Sequence, residues 1–219
     1  MTICTKNPIQ LLINCKNIIA NILSDNKVGF NEKLMSGKYV RYSLEGINGS
    51  IAEEKNSYFV LPLLPSRTGD YYWVAITIGF LFDKGDYCFQ EESLFFFEGM
   101  RLNTNKKPII RAEWSERKSD CRHAQPHWHV YPSYISKIIT PLFDEVVQPI
   151  DFGQTLSDEE IKDKSQEWEE GKRFHYAMAS RWHSEDERAH QEEMTKEKLE
   201  KWTKGCLVYV KDQLSYIQA

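Results

Sequence analysis

The sequence lacks the short motifs that assign many enzymes to a class. It has no Walker A phosphate loop, no dinucleotide-binding glycine fingerprint, no Gly-x-Ser-x-Gly elbow and no His-Glu-x-x-His zinc motif. It also contains no internal repeat and no low-complexity linker. No motif therefore places the chain among P-loop hydrolases, Rossmann dehydrogenases, α/β-hydrolases or zincin proteases, and any function must be argued from individual residues.

Paired cysteines and an excess of basic residues are also missing. None of the five cysteines has a partner at CxxC or zinc-ribbon spacing; they are Cys4, Cys15, Cys88, Cys121 and Cys206. This scatter predicts reduced thiols and a cytoplasmic protein. A net charge of −4 at pH 7 gives no overall basic surface, so charge does not indicate nucleic-acid binding, although it leaves room for a local basic groove.

The N-terminal region has no targeting pattern and no uninterrupted apolar run. Its most apolar stretch, residues 8–23, is broken by Gln10, Asn14, Lys16, Asn17 and Asn21. Asn7 suits a helix N-cap and Pro8 the first helical position. Apolar residues then recur at spacings of three and four, at Ile9, Leu12, Cys15, Ile19, Ile22 and Leu23. We expect an amphipathic helix that packs on a core, and no membrane association.

The middle of the chain has the alternation and turn residues of a β-sheet. The predicted strands are Tyr39–Leu44, Ser50–Glu54, Tyr58–Leu64, Tyr71–Phe82, Tyr87–Phe97, Pro108–Trp114 and His127–Tyr131. The connections are too short for crossover helices, so the strands should be mainly antiparallel. Both faces of Tyr71–Phe82 are apolar, which is typical of a central strand.

After Pro132 the pattern becomes helical and, from residue 157, highly charged. Helix-capping sequences begin at Ser157 and Ser184, and Gly205 separates the charged stretch from a last amphipathic helix. The sequence therefore predicts an α+β protein with two parts. Residues 1–150 form a core with an N-terminal helix and a mainly antiparallel sheet. Residues 151–219 form a charged helical region that packs on the core or extends from it.

A histidine cluster is the most informative feature of the chain. His123, His127 and His129 fall within seven residues, shortly after a strand in which Arg111 and Glu113 alternate with apolar residues. Residues two apart share one face of a strand. A hairpin between these segments would therefore place His127 and His129 on one face, opposite Arg111 and Glu113.

Three interpretations of this cluster remain open at the sequence level. In the first, His127 and His129 bind zinc or another divalent transition metal together with His123 and with His175 from a packed helix, and Glu113 either ligates the metal or orients an imidazole ring. In the second, His127 or His129 is a general acid or base, Glu113 fixes its tautomer and Arg111 neutralises an anion. In the third, the histidines only form structural hydrogen bonds.

The same segment also resembles a pattern in a group of bacterial proteins. Arg-Ala-Glu-Trp followed by His-x-x-x-His-x-His is similar to sequences of small uncharacterised proteins of toxin–antitoxin and phage-defence loci. The resemblance covers residues 110–131, roughly a tenth of the chain, and is carried by Arg111, Glu113, His123, His127 and His129. It implies a role in bacterial conflict and brings no catalytic assignment with it.

Two functions follow as hypotheses. The first is a hydrolase or nuclease-like effector that acts on a phosphate-bearing substrate, with His127, His129, Glu113 and Arg111 as catalytic residues. The second is a noncatalytic subunit of a defence or toxin–antitoxin complex that binds a protein partner through its charged C-terminal helices. Changes at the histidines would damage the first function, and changes between residues 185 and 204 would damage the second.

Overall fold

The structure, a computed structural model, describes residues 3–23, 28–45, 47–51, 57–67, 69–101, 105–116, 125–131, 176–177 and 194–218. The elements in chain order are β1 (Cys4–Thr5), α1 (Ile9–Leu23), β2 (Phe30–Ser36), β3 (Tyr39–Leu44), β4 (Ile47–Ile51), β5 (Ser57–Pro65), β6 (Tyr71–Asp83), β7 (Asp86–Gly99), β8 (Asn105–Ser115), β9 (His127–Val130), β10 (Tyr176–Ala177) and α2 (Lys196–Tyr216). The predicted α+β class, with a mainly antiparallel sheet and a helix at each end, is confirmed.

The long hairpin β6–β7 is the centre of the sheet. Its two strands pair along their whole length, from Tyr71 with Gly99 to Asp83 with Asp86. Among the described residues every strand pair is antiparallel except β4–β8. Because β4 pairs with β5 on one edge and with β8 on the other, strands β4 to β8 close into a five-stranded ring.

The two faces of the sheet bury different sets of residues. Val74, Ile76 and Ile78 of β6 belong to the main core, which the sheet forms with α1 and α2. On the other face, inside the ring of strands, a smaller cluster contains Val60, Trp73, Ala75, Phe95 and Phe97. The prediction that the central strand is covered on both sides is confirmed. Each fully buried aliphatic or aromatic side chain contributes roughly 1.5–3 kcal/mol to stability.

The helix α1 begins as predicted but buries a slightly different stripe. The backbone N–H of Ile9 donates to Oδ1 of Asn7 at 2.9 Å, which is the expected N-cap bond. The buried positions are Leu11, Leu12, Cys15 and Ile19. Ile9, which was predicted to be in the stripe, is 54% exposed, whereas Leu11 in the same turn, which was not predicted, is buried.

Three local predictions in the second half of the chain need correction or lie beyond the described residues. Gly205 does not interrupt a helix, since α2 runs through it from Lys196 to Tyr216 and begins at the N-cap Thr195. Tyr176 and Ala177, expected to be helical, form β10 and pair with β9. The capping sequences at Ser157 and Ser184 lie outside the described residues. Within the described residues, no helix combines the length and apolarity needed to cross a membrane.

The prediction of reduced thiols is wrong for one pair. Cys4 and Cys88 are directly opposite each other in the β1–β7 ladder and form a disulfide, with their Cα atoms 4.1 Å apart. Their separation of 84 residues gave no local signal in the sequence. Cys15 and Cys206 are free and buried. Cys121 lies outside the described residues, and the cytoplasmic location remains a prediction.

Candidate metal centre on the sheet

Four polar side chains of β8 and β9 lie together on one face of the sheet. In the antiparallel β8–β9 ladder, Arg111 is opposite His129 and Glu113 is opposite His127. The two imidazole rings contact each other, with centroids 4.5 Å apart. The prediction that His127 and His129 share one face of a strand and lie opposite Arg111 and Glu113 is therefore confirmed.

The residues between them hold the two strands on the main core. Trp114 of β8 packs edge-on against Trp202 of α2 at a centroid distance of 5.7 Å. Trp128, which lies between the two histidines in sequence, packs on Tyr209 of α2 at 6.3 Å. Because side chains alternate along a strand, anchoring the tryptophans to α2 directs Glu113, His127 and His129 to the opposite face.

Glu113, His127 and His129 form a compact set of ligand atoms. One nitrogen or oxygen from each lies within 4.8 Å of the others. Nε2 of His127 is 2.7 Å from Nε2 of His129, and the latter is 3.6 Å from Oε2 of Glu113. His127 is fully buried, whereas the side chains of His129 and Glu113 are 13% and 19% exposed. A path from solvent to the cluster therefore passes His129 and Glu113.

These distances fit a metal ion after small rotations of the side chains. Ligands that bind a tetrahedral ion at about 2.0–2.1 Å lie about 3.3 Å from one another. The separations of 2.7 and 3.6 Å lie on either side of that value. Two imidazoles and one carboxylate are a donor set used for catalytic zinc and for non-haem iron(II), with remaining positions open to water or substrate. We conclude that these three residues can hold such an ion.

The carboxyl group of Glu113 is ionised despite its partial burial. Burial alone would raise its pKa, but the hydrogen bond from His129 and the charge of Arg111 outweigh that effect and lower the pKa to about 2. One guanidinium nitrogen of Arg111 lies 3.2 Å from Oε2 of Glu113. The charged form of the carboxylate, which is the form that binds metals, is therefore favoured.

Arg111 retains capacity to bind an anion. Its side chain is 21% exposed, whereas its Nε is buried and has no hydrogen-bond acceptor among the described residues, so contact with an anion would come from the terminal guanidinium nitrogens. The guanidinium carbon lies 5.5 Å from the ring centre of Phe95, which supports the planar group from one side. A guanidinium in this position can donate a hydrogen bond to an oxygen of a phosphate or carboxylate while it remains paired with Glu113.

Other polar residues on the same face were not identified from the sequence. Tyr39 donates a 2.6 Å hydrogen bond to Oε1 of Glu91, and Arg41 lies 3.5 Å from the same oxygen. Arg41 and Glu91 meet across Gly79, which separates them in the β3–β6–β7 ladders. All three residues lie on predicted strands, but the pairing of β3 with β6 is a long-range property that the sequence pattern does not show.

The predicted ligands His123 and His175 lie outside the described residues. The described members of the predicted site are Arg111, Glu113, His127 and His129. Of the roles predicted for Glu113, direct ligation is the one that its geometry fits.

Comparison of the chain with protein-family models, with curated proteins and with solved structures finds no match.

Proposed function

We propose that the protein is a metal-dependent hydrolase that acts on a phosphate-bearing substrate. Glu113, His127 and His129 would hold a zinc-like divalent ion, and a water molecule bound to that ion would be the nucleophile. The observation that carries the proposal is the convergence of one carboxylate and two imidazoles from adjacent strands within 4.8 Å. A metal with three protein ligands lowers the pKa of bound water to about 7, which supplies hydroxide at neutral pH.

Arg111 would stabilise the negative charge that develops on the substrate during the reaction. During attack on a phosphoryl group, negative charge grows on the oxygens that are not displaced. A guanidinium next to the metal ligands neutralises that charge, and Arg111 lies 3.2 Å from the ligand Glu113. The combination of a cationic metal centre and an arginine favours an anionic substrate such as a phosphate ester over a neutral ester or amide.

The first experiment measures the metal content of the purified protein by elemental analysis. We expect about one divalent ion per chain in the wild type and a loss of nearly all of it in the double variant His127→Ala/His129→Ala. The matched control is His183→Ala/His190→Ala, which removes two histidines that lie outside the proposed centre. Equal metal content in the wild type and in the His127→Ala/His129→Ala protein would disprove the metal centre.

The second experiment measures hydrolysis of a phosphodiester and a phosphomonoester of p-nitrophenol by the metal-loaded protein. Turnover should require added metal and disappear in Glu113→Gln, while circular dichroism shows that the variant is folded. If the protein binds metal but hydrolyses neither ester, the centre exists and the proposed reaction class is wrong.

A second candidate function is the binding of another protein through the C-terminal region, as in a defence or toxin–antitoxin complex. In the described part of that region, α2 packs on the core through Leu199, Leu207 and Leu214. It leaves Tyr209 and Tyr216 exposed, at 56% and 77%. Under this proposal, surface substitutions between residues 185 and 204 would abolish function, and His127→Ala would leave it intact.

A further inference from the structure

A cleft of about 520 Å³ opens between α1 and the β2–β3 hairpin, away from the histidine cluster. Its floor is apolar, since Leu12 and Val28 are buried there. On one side, Ile9 and Ile13 of α1, one helical turn apart, are 54% and 42% exposed. The volume lies in the range of roughly 300–1,000 Å³ that is usual for small-molecule sites.

The cleft has charges of opposite sign on its two sides. Lys16 of α1 lines one side, and Glu32 and Glu45 line the other. Among the described residues, Lys16 makes no ion pair with either glutamate, so the charges stay apart across the opening. A ligand with its own separated charges would complete both interactions at once.

Both carboxylates lie against other parts of the protein. The hydroxyl group of the buried Tyr42 donates a 2.9 Å hydrogen bond to Oε2 of Glu32. The side chain of Glu45 lies directly against the Cα of Gly29, where a β-carbon would overlap its carboxylate. The backbone N–H of Glu45 also donates to the carbonyl of Gly29 at 2.8 Å. On the negative side of the cleft, Tyr42 therefore holds the carboxylate of Glu32, and a backbone hydrogen bond to Gly29 fixes the main chain of Glu45.

We propose that this cleft binds a small zwitterion with an apolar body, such as an apolar amino acid or dipeptide. The ammonium group lies toward Glu32 and Glu45, the carboxylate lies toward Lys16, and the apolar side chains rest on Leu12 and Ile13. An apolar molecule without charges would leave Lys16, Glu32 and Glu45 without an oppositely charged partner. A nucleotide would place several negative charges next to two glutamates. The charge pattern therefore selects the zwitterion.

The probes are the dipeptide Leu-Leu, its N-acetyl derivative and its C-terminal amide, each titrated into the full-length protein and followed by isothermal calorimetry and backbone NMR. Each capped derivative lacks one charge and keeps the apolar body. Since an exposed ion pair contributes up to about 1 kcal/mol, we expect each cap to weaken binding about fivefold. Shifted NMR signals should include those of Ile13, Phe30 and Glu45.

Variants of the charged residues test which side of the cleft binds the ammonium group and which binds the carboxylate. In Glu32→Gln/Glu45→Gln the dipeptide and its N-acetyl derivative should bind with equal affinity, and in Lys16→Gln the dipeptide and its amide should do so. Ile13→Ser should weaken all three probes about equally. Val208→Ser, a comparable change at an exposed site on α2, should weaken none of them. Failure of Leu-Leu to saturate the wild-type protein would overturn the proposal, and so would equal binding of all three probes.

Discussion

The carboxyl group of Glu92 and the hydroxyl group of Thr203 lie 2.9 Å apart beneath α2, and neither residue is exposed to solvent. Oγ1 of Thr203 is also 2.9 Å from the carbonyl oxygen of Leu199. A threonine hydroxyl has one hydrogen and cannot donate to both groups. If Glu92 is protonated, its own hydroxyl donates to Thr203, and Thr203 donates to Leu199. When Glu92 is neutral, its carboxyl group, the hydroxyl group of Thr203 and the carbonyl group of Leu199 therefore all have a hydrogen-bond partner.

Stability should decrease with rising pH because of Glu92. Burial raises its pKa from an ordinary value of 4.5 to about 8, although the hydrogen bond that Thr203 can donate to the ionised carboxylate opposes the shift. The folded state thus holds a proton that the unfolded state releases. The stabilising contribution is complete below about pH 4.5 and is lost as the pH rises through 8. At about 1.4 kcal/mol per pKa unit, the total is a few kcal/mol.

Urea unfolding of the wild type and of Glu92→Gln from pH 5 to pH 9 tests this. The glutamine keeps an acceptor for Thr203 and cannot ionise, so the variant should lose less stability and should exceed the wild type at pH 9. Asp212→Asn, which removes an exposed carboxylate from the same helix, should follow the wild-type curve. Parallel curves for the wild type and Glu92→Gln would show that Glu92 is not protonated in the fold.

Two glycines should respond to alanine in opposite directions. A β-carbon at Gly79 would overlap the hydroxyl group of Tyr39, which lies over β6 and donates to Glu91. Gly79→Ala should therefore cost about 1–3 kcal/mol. Gly205 lies in the interior of α2 with open space around the site of a β-carbon. Gly205→Ala should stabilise the protein by about 0.5–1 kcal/mol, since alanine has the higher helix propensity.

The same denaturation measurement identifies the cause of the loss at Gly79. In a Tyr39→Ala background the obstructing ring is absent, so Gly79→Ala should cost much less than it does alone. An equal cost in both backgrounds would mean that backbone conformation at position 79, rather than contact with Tyr39, decides the result.

The Cys4–Cys88 disulfide should contribute measurably to stability. It closes a loop over a sequence separation of 84 residues, and a cross-link of that length typically contributes about 2–4 kcal/mol. We expect peptide mapping without reductant to find the two cysteines linked, and Cys4→Ser/Cys88→Ser to unfold at lower denaturant concentration. Added reductant should lower the stability of the wild type to that of the variant and leave the variant unchanged.

Local sequence signals predicted the central sheet well. The predicted strands Tyr71–Phe82 and Tyr87–Phe97 agree closely with β6 and β7, because Asp83 to Asp86 form the tight turn that their residue types favour. The placement of His127 and His129 opposite Arg111 and Glu113 followed from two alternating segments that are close in the sequence. In each case the information lay in residues that are close in the sequence.

Features that depend on distant contacts were missed. The Cys4–Cys88 bond joins the first strand to the central hairpin, and no spacing rule relates the two residues. Glu92 lies in a polar run, Gln-Glu-Glu-Ser, and only the packing of α2 shows that it is buried. Gly205 is a helix breaker by type, but α2 continues through it because Leu207, Val210 and Leu214 on the following turns are buried in the core.

Acid should release the metal through the histidines and not through Glu113. The pKa of Glu113 is lowered to about 2, so its carboxylate remains charged throughout the range in which the protein can be studied. Protonated imidazole cannot ligate, so metal affinity should fall as the pH decreases. Metal titrations at a series of pH values test this. In His129→Ala one fewer proton should compete, and the pH dependence of the remaining affinity should become shallower.

Substitution of Arg111 should impair hydrolysis of the substrate without weakening metal binding. Its guanidinium lies 3.2 Å from the carboxylate of Glu113 and repels a nearby cation. In Arg111→Gln the metal should bind at least as tightly as in the wild type, because that repulsion is gone. Hydrolysis of phosphate esters should nevertheless fall by about 10²–10³-fold, the usual cost of removing one group that stabilises transition-state charge.

Arg111→Lys is the matched control, since it keeps the charge and loses the planar, two-pronged donor. We expect Arg111→Lys to hydrolyse phosphate esters faster than Arg111→Gln does. Its metal affinity should be no higher than that of the wild type. If Arg111→Gln lost metal and activity together, the arginine would be needed to position Glu113, and its assignment to the substrate phosphate would be wrong. Steady-state kinetics with metal at saturating concentration distinguishes these outcomes.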